Sequence, residues 1–248
     1  MYPHYVDAVS RNQIHLNDYK SLAPRRFITN YVVDFKLRMF QSSGPTGQSV
    51  WVLSNILGQQ LTSGFWWNVP RLVEQLEQAR LWQDGGVRLV VVPVCESHHY
   101  FVLVAVLDHV PKFYILESVG GYDEPSQARL LREFLLEQRQ LVKNITGEFM
   151  TVKPLVPLQG VGTNNCAVYI IAFIEKIVQN PGQFVELAER NQLVELLHID
   201  GDKRREDLAM ELAELTVNQR KDGEILNGKE AVELPDLGYS QVVIEITG

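Results

Sequence analysis

KPLVPLQGVGTNNCAVYIIAF, residues 153–173, is the stretch from which the rest of the chain can be read. Its second half opens a run, 166–178 (CAVYIIAFIEKIV), that is apolar almost all round, and a helix with that profile is buried on most of its sides. Pro181 with Gly182 stops it. Before it comes a loop, 157–165 (PLQGVGTNN), and before that a strand over about 149–156. Cys166 therefore opens a buried helix directly after a loop rich in Gly and Asn. A thiol there faces unsatisfied backbone N–H groups and the positive end of the helix dipole, which favour the thiolate. The thiolate is the nucleophile, so the position suits covalent catalysis. Taken alone, such a cysteine more often fills space as a small hydrophobe. Its partners have to decide.

Working outward, three short apolar runs precede the helix: 87–94 (VRLVVVPV), 101–107 (FVLVAVL) and 113–116 (FYIL). They are β-branched or aromatic and bounded by turn signals, which predicts consecutive strands of a buried sheet. A long helix follows at 126–143, with Leu131, Phe134, Leu135 and Val142 inward and Asp123 or Ser126 as cap. Upstream, 69–82 reads as an amphipathic helix with Val69, Leu72, Leu76 and Leu81 on one stripe. Residues 28–40 read as another, with Val32, Phe35 and Met39 together, ended by a loop of Ser42, Ser43, Gly44, Pro45 and Gly47. The first 25 residues are polar and irregular. Downstream, 183–221 predicts two amphipathic helices, the second carrying Leu208, Leu212 and Leu215, and Val242 to Ile246 is strand-like. The expected architecture is one α+β domain with a C-terminal part attached.

Composition narrows the function. A formal net charge of −7 argues against a general nucleic-acid binder, because neutralising phosphates needs clustered Lys and Arg. With two cysteines, Cys95 and Cys166, neither a disulfide framework nor a four-thiolate zinc site can be built, and no His, Cys and carboxylate spacing suggests another metal. The longest apolar runs, such as 89–95 and 166–174, are too short to span a bilayer, and the N-terminus lacks a signal-peptide pattern. The expectation is an intracellular protein, nuclear or cytoplasmic.

Three residues give Cys166 a chemical setting. His99 precedes the strand 101–107 and Glu117 follows the strand 113–116, so a hairpin of these strands lays imidazole beside carboxylate. A carboxylate accepting from Nδ1–H fixes the tautomer and stabilises the imidazolium, and the imidazole takes the thiol proton. Either His98 or His99 could be this base; the order His then aromatic favours His99. Gln159, in the loop before the nucleophile, can donate its side-chain amide to an oxyanion, with the Cys166 N–H as second donor.

The order His, acid, Gln, Cys, with the Cys opening a buried helix, resembles the ubiquitin-like protease superfamily, which includes the SUMO-specific proteases and the adenovirus endopeptidase. Segment 153–173 resembles the Gln-to-Cys loop and nucleophile helix of that family, and 89–118 (LVVVPVCESHHYFVLVAVLDHVPKFYILES) its pair of strands carrying base and acid. Segment 16–40 resembles its N-terminal Leu-Asn-Asp helix, which helps hold the modifier's tail. The resemblance implies a papain-like α+β fold with a central mixed sheet flanked by helices. It implies a catalytic domain over 1–185 and a helical extension over 186–248. Function follows as thiol peptidase or isopeptidase, with Cys166, His99, Glu117 and Gln159 catalytic and Phe27, Asn30 and Tyr100 against the substrate. The partner is a SUMO-like modifier or its conjugates, and no cofactor is required.

The sequence departs from that family at several points. Tyr100 and Phe27 stand where SUMO proteases usually carry the two Trp that clamp a Gly-Gly tail. Glu117 stands where they use Asp, although the adenoviral enzyme uses Glu. Gln159 lies seven positions before Cys166, one more than is usual in SUMO proteases, and Ala167 replaces the usual Gly. Two rival functions share the residues: an acetyltransferase on the same triad, which needs a basic pocket for CoA phosphates (candidates Arg25, Arg26 and Lys36), and a non-catalytic modifier-binding module.

Overall fold

The eight residues His99–Val106 form strand β5, and all eight are buried. Alternate residues of a strand point to opposite faces, so a strand buried throughout needs a layer on each side. In the computed structural model, which describes residues 3–6, 13–43, 50–55, 58, 79–84, 86–96, 98–120, 126–143, 148–221 and 237–238, both layers are present. Elements are numbered β1 (Pro3–Val6), β2 (Gln13–His15), α1 (Leu16–Lys20), α2 (Asn30–Ser43), β3 (Val50–Val52), β4 (Leu89–Glu96), β5, β6 (Lys112–Leu116), α3 (Ser126–Lys143), β7 (Met150–Val152), α4 (Cys166–Gln179), α5 (Pro181–Glu189), α6 (Leu193–Leu197) and α7 (Gly201–Lys221).

The main sheet has the order β3-β4-β5-β6-β7. Its centre is an antiparallel meander, and β3 and β7 add to it in parallel. One face (Leu89, Val91, Val102, Val104, Tyr114 and Leu116) packs against α2, α4 and α7. The other (Val90, Val92, Val94, Phe101, Leu103, Phe113 and Ile115) packs against α3 through Ala128, Leu131, Phe134 and Leu135. That helical spacing, i, i+3, i+6 and i+7, is the apolar stripe expected of α3. Its first residue, Ser126, directs its hydroxyl to the Gln127 side chain, so it does not act as the expected cap.

Several expectations shift. The strand expected over 149–156 pairs only at Met150–Val152, because Pro154 lacks an N–H and the chain leaves the sheet edge. Pro181 does not merely end α4: it supplies the first turn of α5, where a missing N–H costs nothing. Three helices replace the two expected over 183–221, since Asn191 turns left-handed (φ 56°) and splits the first. The irregular N-terminus contains an antiparallel pair, β1 with β2, and α1. Asp18 there accepts from the His15 N–H at 2.9 Å and from the Thr29 hydroxyl at 2.8 Å, fastening α1 to the start of α2. Val69, Leu72, Leu76, Gly44, Pro45, Gly47, Asp123, the side chain of Val142 and the run Val242 to Ile246 lie outside the described residues.

Helix α7 packs into the same core as α4 through Leu208, Ala209, Leu212 and Ala213. Above that apolar contact Glu211 pairs with Lys36 of α2 and with Arg204, whose guanidinium also meets Glu175 of α4 at 2.9 Å.

Candidate active site

Strand pairing sets the site. The β4–β5 ladder closes at Glu96 opposite His99, leaving a two-residue connection, 97–98. In it His98 takes a left-handed backbone (φ 67°), a conformation costly for a residue with a Cβ. The turn separates two neighbouring imidazoles. His98 is exposed, with its ring 5.4 Å from that of Phe27, and His99 is buried. On the other side β5 pairs antiparallel with β6, Val102 opposite Leu116, so the residue after β6 returns to the start of β5. That residue is Glu117.

The His99 ring interacts electrostatically with both Glu117 and the Cys166 side chain. Its Nε2 lies 3.0 Å from Glu117 Oε1, an ion-pair distance whose angle falls short of a linear hydrogen bond. The nitrogen facing the acid is thus Nε2, where Nδ1 was expected, and this leaves Nδ1 for the thiol. Burial works against the charged ring, but contacts with Cys166 and Glu117 outweigh it and push the His99 pKa up to about 9. At neutral pH the ring is an imidazolium.

Glu117 uses its extra methylene to bend back over its own turn. Oε1 accepts from the Val119 N–H, and Oε2 from the Gly120 N–H at 2.7 Å. Burial raises its pKa, yet the His99 contact and those two amides together hold it below the ordinary carboxylate value. Gly120 sits at φ 80°, which a glycine adopts without strain and which brings its N–H to the carboxylate.

Cys166 is the first residue of α4, 3% exposed, with Sγ 3.8 Å from the His98 carbonyl. The preceding loop is tied at several points. The Gln159 N–H donates to Ser118 O at 2.8 Å, which fixes the loop to the acid's turn. Tyr169, one turn into α4, donates its hydroxyl to Leu158 O at 3.2 Å. The Gln159 side chain turns inward, its Oε1 buried and accepting no hydrogen bond among the described residues. That leaves the NH2 end of the amide as the donor.

The residues expected against substrate divide. Phe27 is 52% exposed beside His98, and Asn30 is exposed at the start of α2. Tyr100 is only 3% exposed: its hydroxyl donates to Asn30 Oδ1 and its ring lies in the core, so it cannot line a tail directly. The open aromatic partner of Phe27 is His98. Cys95 lies opposite Tyr100 in the ladder, and burial pushes its thiol pKa up, despite a hydrogen bond to the Tyr100 side chain. Lys36, a candidate for phosphate, is buried and paired with Glu211. Among the described residues no group of three His, Cys, Asp or Glu is placed to hold a metal ion, and no helix is long and apolar enough to cross a membrane.

Sequence reasoning missed Arg205, the largest fully buried side chain among the described residues, which bonds Asn164 and Asn165 just before Cys166. The signal was available: Arg205, Leu208 and Leu212 share one helical stripe at i, i+3 and i+7.

No protein-family model and no curated protein matches the sequence. Solved structures do match in shape. The fold, α+β with a mixed five-stranded sheet, matches that of solved Ulp1-like protease structures. A de-sumoylating protease superposes with TM-score 0.64 at 19% identity, covering 88% of this chain and 94% of its own. The C-terminal Ulp1 protease domain in complex with SMT3, the yeast ortholog of SUMO, gives 0.59 at 15% identity, covering 87% and 89%. The Ulp1-like SUMO protease catalytic domain of Chaetomium thermophilum gives 0.54 at 16%, covering 86% and 83%. At these identities the likeness establishes the shared fold.

Proposed function

We propose that this chain is a thiol peptidase or isopeptidase that cleaves after the small-residue tail of a ubiquitin-like modifier of the SUMO kind, or of a precursor bearing such a tail. One observation carries the reading: the buried imidazole of His99 interacts with a thiol at the head of a helix and lies 3.0 Å from a carboxylate. The modifier is argued from the structural relative that holds SMT3.

In this reading His99 already holds the proton taken from Cys166, and the imidazolium is stabilised by Glu117. The thiolate attacks the scissile carbonyl carbon, and the oxygen that gains charge is met by the Cys166 N–H and the Gln159 amide. His99 then gives its proton to the leaving amine, which departs as a thioester forms on Sγ. Water, deprotonated by His99, attacks the thioester and releases the carboxylic acid, leaving the thiolate beside the reprotonated imidazolium. Phe27, whose ring lies 5.4 Å from that of His98, and Asn30, which accepts from the Tyr100 hydroxyl, would meet the modifier's tail. We place this work inside the cell, in nucleus or cytoplasm, where thiols stay reduced.

A panel of modifier-derived probes with C-terminal electrophiles tests it. A SUMO-type probe is expected to form an adduct on Cys166 that is lost in Cys166→Ala and kept in Cys95→Ala. An adduct on Cys95, or none with any modifier, would refute the assignment.

A further inference from the structure

Arg205 lies on α7, yet its guanidinium serves the residues before the nucleophile. Nε donates to Asn165 Oδ1 at 2.8 Å and Nη2 to Asn164 O at 2.6 Å. Nη1 donates to Ser21 O at 3.2 Å and Ala23 O at 3.1 Å. The other end of the Asn165 amide donates to Asp202 Oδ1 at 2.7 Å, and Asn164 Nδ2 donates to Arg25 O at 2.7 Å. Both residues ahead of Cys166 are therefore gripped by α7 and by the segment that leads to Phe27. The packing leaves no slack: a Cβ on Gly201, the first residue of α7, would stand 2.6 Å from the Tyr169 ring and 3.1 Å from Asn165 Nδ2.

Burying a guanidinium is costly, and an apolar side chain of similar volume would often stabilise the fold as well or better. What it uniquely offers is five donors at fixed angles, able to orient several acceptors at once. Here those acceptors include the Asn164 carbonyl and the Asn165 side chain, next to the peptide plane that carries the Cys166 N–H. We infer that Arg205 is a positioning residue for Cys166, holding the thiol and its N–H in line for attack. The inference rests on the reading of Cys166 as nucleophile.

The test compares Arg205→Lys and Arg205→Ala with Arg204→Lys, a neighbour on the same helix whose partners are Glu175 and Glu211. Three quantities are measured: alkylation of Cys166 by iodoacetamide followed by peptide mass spectrometry, kcat and KM on a modifier–fluorophore conjugate, and Tm. Both Arg205 variants are expected to lose on the order of ten- to a hundredfold in alkylation rate and kcat, with KM within about threefold. Methylguanidine should restore part of the loss in Arg205→Ala. Arg204→Lys should lower Tm and keep kcat. If Arg205→Ala does not fold, Arg205→Lys, which keeps the charge without the fork, carries the comparison.

Wild-type Cys166 alkylating no faster than Cys95 would sink the nucleophile reading itself. A fast wild type with equally fast Arg205 variants would overturn the positioning role alone. So would an Arg204→Lys that loses kcat as heavily as the Arg205 variants.

Discussion

Replacing Glu117 by Gln removes one charge and one acceptor from a carboxylate that serves three donors. Oε1 takes His99 and the Val119 N–H, and Oε2 takes the Gly120 N–H. If the amide oxygen keeps the Oε1 side, its NH2 faces the Gly120 N–H, donor against donor. If it is flipped, the NH2 faces both His99 and Val119. The first arrangement loses less, about 1 kcal/mol or below, because the Gly120 N–H belongs to an exposed residue and can turn to water, so the variant should fold with a slightly lowered Tm. Activity should suffer more. The His99 pKa of about 9 rests on the contacts with Cys166 and Glu117 against burial. Without the carboxylate it should fall toward the ordinary value of about 6.5. At pH about 8 the imidazolium fraction would drop from roughly 90% to roughly 3%, at most about thirtyfold from protonation alone. Loss of the tautomer-fixing contact multiplies this, and an acid-to-amide change in triad chemistry can reach on the order of 10⁴. The expected loss in kcat/KM is therefore about a hundred- to ten-thousandfold, with the alkaline limb moving down from near 9. Glu117→Asp keeps the charge but pulls it back by about 1 Å, which can cost on the order of a hundredfold. The assay is kcat/KM on a modifier–fluorophore conjugate across pH, alongside thermal melting. Glu117→Gln within about threefold of wild type, its alkaline limb unmoved, would remove Glu117 from the triad.

His99→Ala should cost on the order of 10²–10⁴ in turnover, whereas His98→Ala should mainly raise KM by removing the ring beside Phe27; equal losses in kcat would place the base wrongly. Gln159→Ala should lower kcat by about 10²–10³ with KM little changed, and a rise in KM alone would make it a binding residue. Stability should also titrate. The folded His99 pKa lies above its unfolded value, so its contribution is complete below about 6.5 and disappears as pH rises through about 9. Glu117 acts oppositely, its contribution present above the ordinary carboxylate range and lost as acid protonates it. Tm measured against pH should fall between about 6.5 and 9 in wild type and stay level there in His99→Ala; a parallel slope in the variant would refute the assignment.

What could be read from residues alone followed periodicity and punctuation. The runs around β4, β5 and β6 announced a sheet buried on both faces, and α3 appears over 126–143 as its stripe demanded. The pairing of β5 with β6 that lays Glu117 beside the start of β5 was equally legible, because an antiparallel hairpin leaves little choice. Ring orientation was not. Which nitrogen of His99 meets the acid depends on a χ angle, and no spacing encodes it. Tyr100 was placed against the substrate by analogy, yet in a strand with two covered faces an aromatic is core wherever a layer lies over it. Arg205 was hidden by its company: in KRRE a basic residue reads as solvated, and only the stripe it shares with Leu208 and Leu212 says otherwise.

The two halves of the site also differ in when they can exist. Base and acid are 18 positions apart (117 − 99) in a meander of neighbouring strands, a local assembly of the kind that forms early and quickly. The nucleophile's half closes through Arg205 onto Ser21 and Ala23, contacts that span 184 and 182 residues. A chain emerging from the ribosome at about 5–20 residues per second has made its thiol, its imidazole and its carboxylate well before residue 205 is added. Until then the clasp across the loop is missing, and the nascent polypeptide carries its reactive groups without the means to align them. On the proposed reading, such a site stays unaligned during synthesis and gains its full reactivity only as α7 docks.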